Sequence, residues 1–282
     1  MVDIDKFKGG NEPDALPPEN VFGHVKKVRL IRDAIERRRR VDGKLSLKIL
    51  DIGCGNGRAV TRFLGRSDDT VLGIDMHSQS VEYASASFKR PGMQFMCMDA
   101  ESLSSDGERF DVVVLADVLE HLESPSVVLN VAERLLEPGG VLVATVPNGY
   151  GPFEIESAIS RLPVVGPSLL WLTDRLVALA DKTLLKDVWS RAVVNDPVDV
   201  PYNAESGHVQ FFSRRAIRRL FHKCGLETVY EANLSFLSGP FTNYLFSPFS
   251  RFCQANVWIA DKLPVCVVSA WYFECRRIAA PK

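Results

Sequence analysis

The sequence predicts an α/β fold built around a parallel sheet, and three observations carry that expectation. Short apolar runs alternate with amphipathic segments between Lys48 and Val146. A glycine-rich turn, Gly53-Cys54-Gly55-Asn56-Gly57, follows the first run, and the first three runs carry an aspartate at or near their ends, Asp51, Asp75 and Asp99. Runs of 5–7 apolar residues bounded by turn residues are strands covered on both faces, the setting of a parallel sheet with crossover helices.

Taken in order, residues 1–19 carry Gly, Pro and acidic residues without periodicity and read as a flexible tail. Val21, Val25, Val28, Ile31 and Ile35 then recur at helical spacing, which predicts an amphipathic helix over 20–40. Arg37 to Arg40 close it, where positive charge suits the helix dipole and a solvated end is expected. KILDI (48–52), TVLGID (70–75), MQFMCM (93–98), FDVVVLA (110–116) and GVLVATV (140–146) read as strands, with helices after the first, second and fourth. SRRAIRRLFHKCG (213–225) is a helix closed by Gly225, and LETVYEA (226–232) a sixth strand. VVSAWYFECRR (267–277) is a last strand-like run. One domain over 20–282 thus has its core in 45–146, 208–232 and 264–277. Two insertions interrupt it: 147–207, with a long amphipathic helix near 168–188, and the aromatic-rich 234–263. Together they are expected to form a helical lid.

Composition narrows the partners. With 34 Lys and Arg against 35 Asp and Glu, no overall field favours nucleic acid. Six cysteines without CxxC spacing argue against zinc and against a disulfide framework, and point to a reducing, cytoplasmic setting. The polar N-terminus lacks the apolar stretch of a secretory signal, and no run reaches about 18 apolar residues without charge, the length of a membrane span.

The chemistry concentrates at the strand ends. Gly53, Gly55 and Gly57 let backbone approach a ligand, and Asp51 stands at a carboxyl end of the sheet, where α/β folds bind ligands. An acid there pairs with an amino group and repels phosphate, and the GxGxG spacing differs from the GxGxxG of dinucleotide sites. Asp75, closing the second strand, can accept hydrogen bonds from ribose hydroxyls, and Asp99, after the third, from an adenine amino group. Each alone can equally cap a turn. Together with the glycine loop they describe a site for a ligand cationic at one end and nucleoside at the other.

On these residues the chain resembles the class I S-adenosylmethionine-dependent methyltransferases. LDIGCGNG (50–57), GID (73–75), MDAESL (98–103), FDVVVLADVLEHLESP (110–125) and LLEPGGVLVATVPN (135–148) carry the likeness. It implies a Rossmann-like, seven-stranded, mostly parallel sheet whose antiparallel last strand inserts beside the fifth or sixth, and S-adenosyl-L-methionine as cofactor. It further implies that Asp51, Gly53, Cys54 and Gly55 face the methionine moiety, Asp75 the ribose, Met76 and Ala100 the adenine faces, and Asp99 its amino group. Ala116 to His121 would line the floor beside the sulfonium. ADVLEHL with GHVQFFSRRAIRRLFHKCGLE is most similar to the ubiquinone-biosynthesis O-methyltransferase branch, which implies a small, hydrophobic or lipid-like acceptor methylated at oxygen.

Several residues admit two readings. Asp117, Glu120 and His121 share a predicted helical turn and an equivalent trio is associated with metal in that branch; the plainer reading has Asp117 capping the helix and His121 packing by the cofactor, and no metal is assigned. Among candidate bases for the acceptor proton, His208 is preferred over His24 and His121 because it precedes the helix after the insertion. Cys54 reads as a small side chain tolerated in a turn. Arg214, Arg215, Arg218 and Arg219 form a basic face that is either solvated or in contact with anionic lipid, which makes peripheral membrane contact an expectation. The rival functions are a nicotinamide-dependent oxidoreductase and a non-catalytic module that keeps the cofactor fold.

Overall fold

The computed structural model describes residues 16–103, 108–183, 188, 200–201 and 207–279. Seven strands form one sheet: β1 (Lys48–Ile52), β2 (Thr70–Asp75), β3 (Met93–Cys97), β4 (Phe110–Ala116), β5 (Leu136–Pro147), β6 (Leu226–Asn233) and β7 (Ala270–Arg277). Their order is β3-β2-β1-β4-β5-β7-β6. The pairings among β1 to β5 are parallel, and β7 runs antiparallel to both β5 and β6, so it lies between the two strands proposed as its neighbours. Val112, Val113, Val114 and Leu115 of β4 are fully buried, as are Leu142, Val143 and Ala144 of β5. Such continuous burial is what the unbroken apolar runs predicted.

Helix α1 (His24–Asp42) buries Val25, Val28, Ile31 and Ile35. Glu19 and Asn20 cap its start, Glu19 accepting from Val25 and Lys26 N–H at 2.8 and 2.9 Å. Its arginine run is a solvated end only at Arg37 and Arg40, which are exposed. Arg38 and Arg39 are buried, Arg39 pairing with Asp69 at 2.6 Å, while Arg38 meets Asp42 at 2.7 Å and Asp111 at 3.4 Å. The cause is tertiary, because Asp69 and Asp111 lie at the N-terminal ends of β2 and β4, directly under that end of α1.

Helices α2 (Ser78–Ser87) and α3 (Pro125–Leu135) follow β2 and β4 as expected, whereas β1 is followed only by a 3₁₀ turn, Thr61–Phe63. Three left-handed glycines (Gly53, Gly55 and Gly57 at φ 75°, 52° and 72°) and the Thr61 hydroxyl, bonded back to Asp51 at 2.6 Å, hold this stretch in turns.

The first insertion contributes α4 (Pro152–Ser160) and α5 (Val165–Thr183), so the long helix begins before residue 168, and 184–187 lie outside the described residues. Helix α6 (Arg214–Lys223) is capped by Ser213 and followed by Gly225 at φ 75°. The second insertion forms α7 (Pro240–Phe246) and α8 (Ser250–Ala260). The insertions pack on each other: α4 and α5 meet α7, and Glu156 of α4 accepts from Thr242 N–H at 2.9 Å and from its hydroxyl at 2.5 Å.

Candidate active site

The sheet order turns from β1 to β4, and the crevice outside the carboxyl ends there is where open α/β sheets bind ligands. The sequence-predicted cofactor residues line this edge. Gly53 and Cys54 N–H both donate to the Ile74 carbonyl, at 2.8 and 3.0 Å, which welds the loop to β2. Gly55 N–H donates to Asp75 Oδ2 at 2.8 Å and His77 N–H to Asp75 Oδ1 at 2.9 Å. Asp75 therefore fastens the loop as well as ending its strand.

Two features fit a ligand at the loop. A Cβ at Gly53 would strike Val118 at 2.5 Å and one at Gly57 would crowd Phe95, Phe88 and Ala84, yet at Gly55 it would meet nothing within 4 Å. Among these three glycines the open face is thus confined to Gly55, the one bonded to Asp75. Asp51 is buried at the end of β1, and burial pushes its carboxyl up to about 7, the Thr61 hydroxyl opposing the rise and the Asp75 charge adding to it. An ammonium group arriving there would relieve that cost.

Met76 is exposed beside Asp75, and Ala100 is buried next to Asp99. Asp99 accepts from Glu101 N–H at 2.9 Å and caps the 3₁₀ turn Ala100–Ser102. The Cys54 side chain lies over Gly73, and burial raises its thiol far above the ordinary range, so it is inert and fills space. Ala116 ends β4, half-buried.

Beyond Ala116 the structure departs from the predicted helical turn. Asp117 takes a left-handed conformation at φ 57°, and only Leu119–His121 form a 3₁₀ turn. Asp117 caps no helix. It pairs with Lys27 of α1 and accepts from the Thr145 hydroxyl at 2.6 Å. Burial alone would raise its carboxyl, but the Lys27 charge and these hydrogen bonds bring it below the ordinary carboxylate range. Glu120 is buried, and burial together with the Asp117 charge pushes its carboxyl well up.

A cavity of ≈ 220 Å³ opens beside this group. Phe22, Pro147, Phe153 and Leu234 form its apolar walls, and Lys27, Glu120, His121 and His208 its polar centre. His208 Nδ1 lies 2.6 Å from Glu154 Oε1 of α4, and the His121 and His208 rings meet edge-on with centroids 5.0 Å apart. Val209 and Gln210 N–H both donate to the Glu120 carbonyl, at 2.9 and 3.0 Å, and this pinning brings His208 to His121. His24 is a weak base, its pKa lowered to about 4 by burial and then by Lys27. His77 is taken by Ser80 at 2.7 Å, and His222 lies on the exposed face of α6. Lys27 and Glu154 were not singled out in the sequence. Lys27 stands on the helix face otherwise read as solvated, and Glu154 is 54 positions from its partner.

Comparison with known proteins agrees with this layout. Residues 22–231 match the family described as methyltransferase domain. The ubiquinone biosynthesis O-methyltransferase of Coxiella burnetii is 30% identical over 128 residues, 44% of this chain and 53% of that protein. Its namesake from Cereibacter sphaeroides is 34% identical over 104 residues, 36% and 42% of the two chains. The chain thus spans about half the length of the curated relatives it matches. In fold it is similar to the [4+2]-cyclase SpnF, with TM-score 0.53 and 16% identity over 95% of this chain and 89% of that one. A similar likeness holds for an S-adenosylmethionine-dependent methyltransferase from Clostridium acetobutylicum, with TM-score 0.50 and 11% identity over 89% and 92%. With its matched region running from α1 through β6, the chain belongs to the methyltransferase-domain family, the class I methyltransferases whose cofactor is S-adenosylmethionine.

Proposed function

We propose that the protein transfers a methyl group from S-adenosylmethionine to an oxygen of a small, largely apolar acceptor. The observation that carries this reading is the cavity beside Asp117, with apolar walls around a polar centre, one residue from Val118, which lies against Gly53 of the glycine loop. The names of the curated relatives, ubiquinone biosynthesis O-methyltransferases, support oxygen as the atom and a hydrophobic molecule as the acceptor. When bound, the cofactor would supply a methyl carbon activated by its sulfonium, the S–CH₃ electron pair remaining on sulfur, and the acceptor proton would pass to His208.

The chain's own residues then have two tasks. Asp51, Asp75 and the open backbone at Gly55 hold the methyl donor, with Met76, Asp99, Ala100 and Ala116 along its nucleoside and sulfonium sides. The walls of the cavity orient the acceptor, and most of the acceleration comes from holding the two reactants in line. His208, oriented by Glu154, activates the acceptor oxygen. The two insertions form the lid over this pocket.

The same insertions support peripheral membrane contact. Leu169, Leu172, Leu176 and Leu179 make an exposed stripe along α5, while Thr173 and Val177 are buried on another face. No single described helix is long and apolar enough to cross a membrane; α4 and α5 together reach that length and composition but are bent by 100° at their junction. Attachment at the surface, on the cytoplasmic side, suits that geometry. All six cysteines are free, which fits a reducing compartment.

The test is incubation with methyl-labelled cofactor and a lipid extract, followed by identification of the labelled product. A labelled ether in the lipid fraction is expected, with none from Gly55→Val, whose side chain enters the open space at the loop and strains its left-handed backbone at φ 52°. Tight binding of S-adenosylhomocysteine with label in no extract fraction would overturn the catalytic reading.

A further inference from the structure

The acceptor cavity extends well beyond its histidines. Its lining crosses the carboxyl end of the sheet, from His121 after β4, past Pro147 at the end of β5 and Ala270 at the start of β7, to Leu234 and Ser235 after β6. In the order β4-β5-β7-β6, the first and last of these strands stand three interstrand steps apart, roughly 14 Å at ~4.8 Å a step. Val209 and Gln210 N–H bind the Glu120 carbonyl and so hold His208 on the β4 side. The cavity thus has a histidine end and a serine end.

The hydroxyls at this edge of the sheet are not alike. Thr145 donates to Asp117 at 2.6 Å, and Ser269 donates to the Phe236 carbonyl at 2.7 Å. Ser235 is 0% exposed, and its Oγ has no hydrogen-bond partner. A buried hydroxyl left unpaired costs free energy, and an alanine would fill the same place without that cost. Packing therefore gives no reason for a serine here. Its backbone is firmly held: Leu234 N–H donates to the Ala270 carbonyl at 3.0 Å and Ser269 N–H to the Ser235 carbonyl at 2.9 Å. Asn256 of α8 fixes the residues that follow, accepting from Leu237 N–H at 2.8 Å and donating to the Leu237 carbonyl at 2.7 Å. Ser235 is thereby kept in the cavity wall, with its hydroxyl hydrogen free to turn toward a ligand.

We infer that Ser235 is a specificity-determining residue, whose hydroxyl bonds a second oxygen function of the acceptor, a hydroxyl or carbonyl remote from the oxygen that is methylated. The apolar walls, Phe22, Pro147, Phe153 and Leu234, take the body of the molecule. The acceptor class that fits is an apolar molecule with oxygen at both ends; oxygens on neighbouring carbons are too close together to meet the two ends of the cavity. An acceptor without the far oxygen leaves Ser235 unpaired in a desolvated site, whereas one that carries it replaces water by the serine. The identity of the reacting oxygen rests on the proposed methyl transfer, and the contact of the far oxygen with Ser235 does not.

The experiment compares para-propylphenol with its chain-terminal alcohol, which share the phenol and the chain and differ in one hydroxyl. Binding of each to the full chain saturated with S-adenosylhomocysteine is followed by calorimetry, and methyl transfer to each from S-adenosylmethionine is measured as kcat/KM. The wild type is expected to favour the alcohol about 10-fold in both readouts. Ser235→Ala should lose that preference through weaker binding of the alcohol, with its affinity for para-propylphenol retained. Its thermal midpoint should be no lower than that of the wild type, because the substitution removes an unpaired buried hydroxyl; a lower midpoint with the preference intact marks the serine as structural only. No preference in the wild type, equal preference in Ser235→Ala, or no binding of either phenol overturns the assignment. Methyl transfer to both phenols at equal kcat/KM and equal affinity removes the Ser235 contact and leaves the proposed function standing. Preferential binding of the alcohol that Ser235→Ala abolishes, without methyl transfer to either phenol, would sink the proposed function and leave the contact standing.

Discussion

The two ends of the sheet treat buried charge in opposite ways. At the N-terminal ends of β2 and β4, each buried carboxylate is saturated. Asp69 accepts from Leu47 N–H, Arg66 N–H and Arg39 at 2.8, 2.7 and 2.6 Å, and Asp111 receives Arg38, Lys44 and Lys48 N–H. At the C-terminal ends, Asp51 and Glu120 are buried with carboxyls pushed up, Glu120 Oε2 is unpaired, and Asp117 adopts a conformation unfavourable to a side chain. At one end the chain itself supplies partners to each buried carboxylate, and at the other Glu120 keeps one carboxylate oxygen without a partner. The contrast separates stability from function: disturbing the first end should unfold the protein with binding unaffected in the folded fraction, and disturbing the second should do the reverse.

The largest effect is expected at the saturated end. Asp69→Asn leaves the buried Arg39 with only Glu36 at 3.5 Å and the Leu45 carbonyl at 2.8 Å, and breaking a buried pair in this manner costs up to about 3 to 5 kcal/mol. Denaturant unfolding should show the loss, with S-adenosylhomocysteine affinity unchanged. A midpoint equal to that of the wild type would erase the distinction between the ends.

Next comes Asp75→Ala at the open end. It removes charge-assisted hydrogen bonds to the ligand and should weaken S-adenosylhomocysteine binding by about 1 to 3 kcal/mol. Its bond to Gly55 N–H means that the loop also loosens. Calorimetry on the folded variant that finds normal affinity would count against the ribose assignment.

The pH dependence follows from Asp51. Its folded pKa, about 7, lies above that of an unfolded carboxyl, so the ligand-free protein loses stability as pH rises from the ordinary carboxylate range to about 7 and no further beyond. An ammonium beside Asp51 favours the ionised form, and ligand affinity should therefore rise with pH up to about 7, by at most about 1.4 kcal/mol per unit, then level. Asp51→Asn should flatten that slope; an identical slope in the variant would place the proton elsewhere.

The smallest effect concerns the membrane face. Arg214 and Arg218 share Glu231, at 2.6 and 3.1 Å, while Arg215 and Arg219 have no carboxylate at ion-pair distance among the described residues. Reversing Arg215 or Arg219 to Glu should weaken sedimentation with anionic vesicles by about 1 kcal/mol for each charge removed. Equal recovery in the supernatant with and without vesicles would remove the membrane contact and leave the pocket untouched.

Taken by themselves, the residues of this chain determined the parallel core, the glycine loop and the carboxylates Asp51, Asp75 and Asp99, because each depends on neighbours in sequence. An unbroken apolar run must be buried on both faces, and a glycine turn directly after it marks the carboxyl end of its strand, where Asp51 stands. Only the tertiary structure decided the rest. Arg38 and Arg39 looked solvated until Asp69 and Asp111 lay beneath them, and Asp117 left its expected helical turn because Lys27 holds it from another element. His208 met His121 from far along the chain through backbone bonds to Glu120, and met Glu154, 54 positions away. Periodicity records which face of an element is apolar, but the partner of a charged side chain depends on how elements dock, and that information resides in the packing of the whole chain.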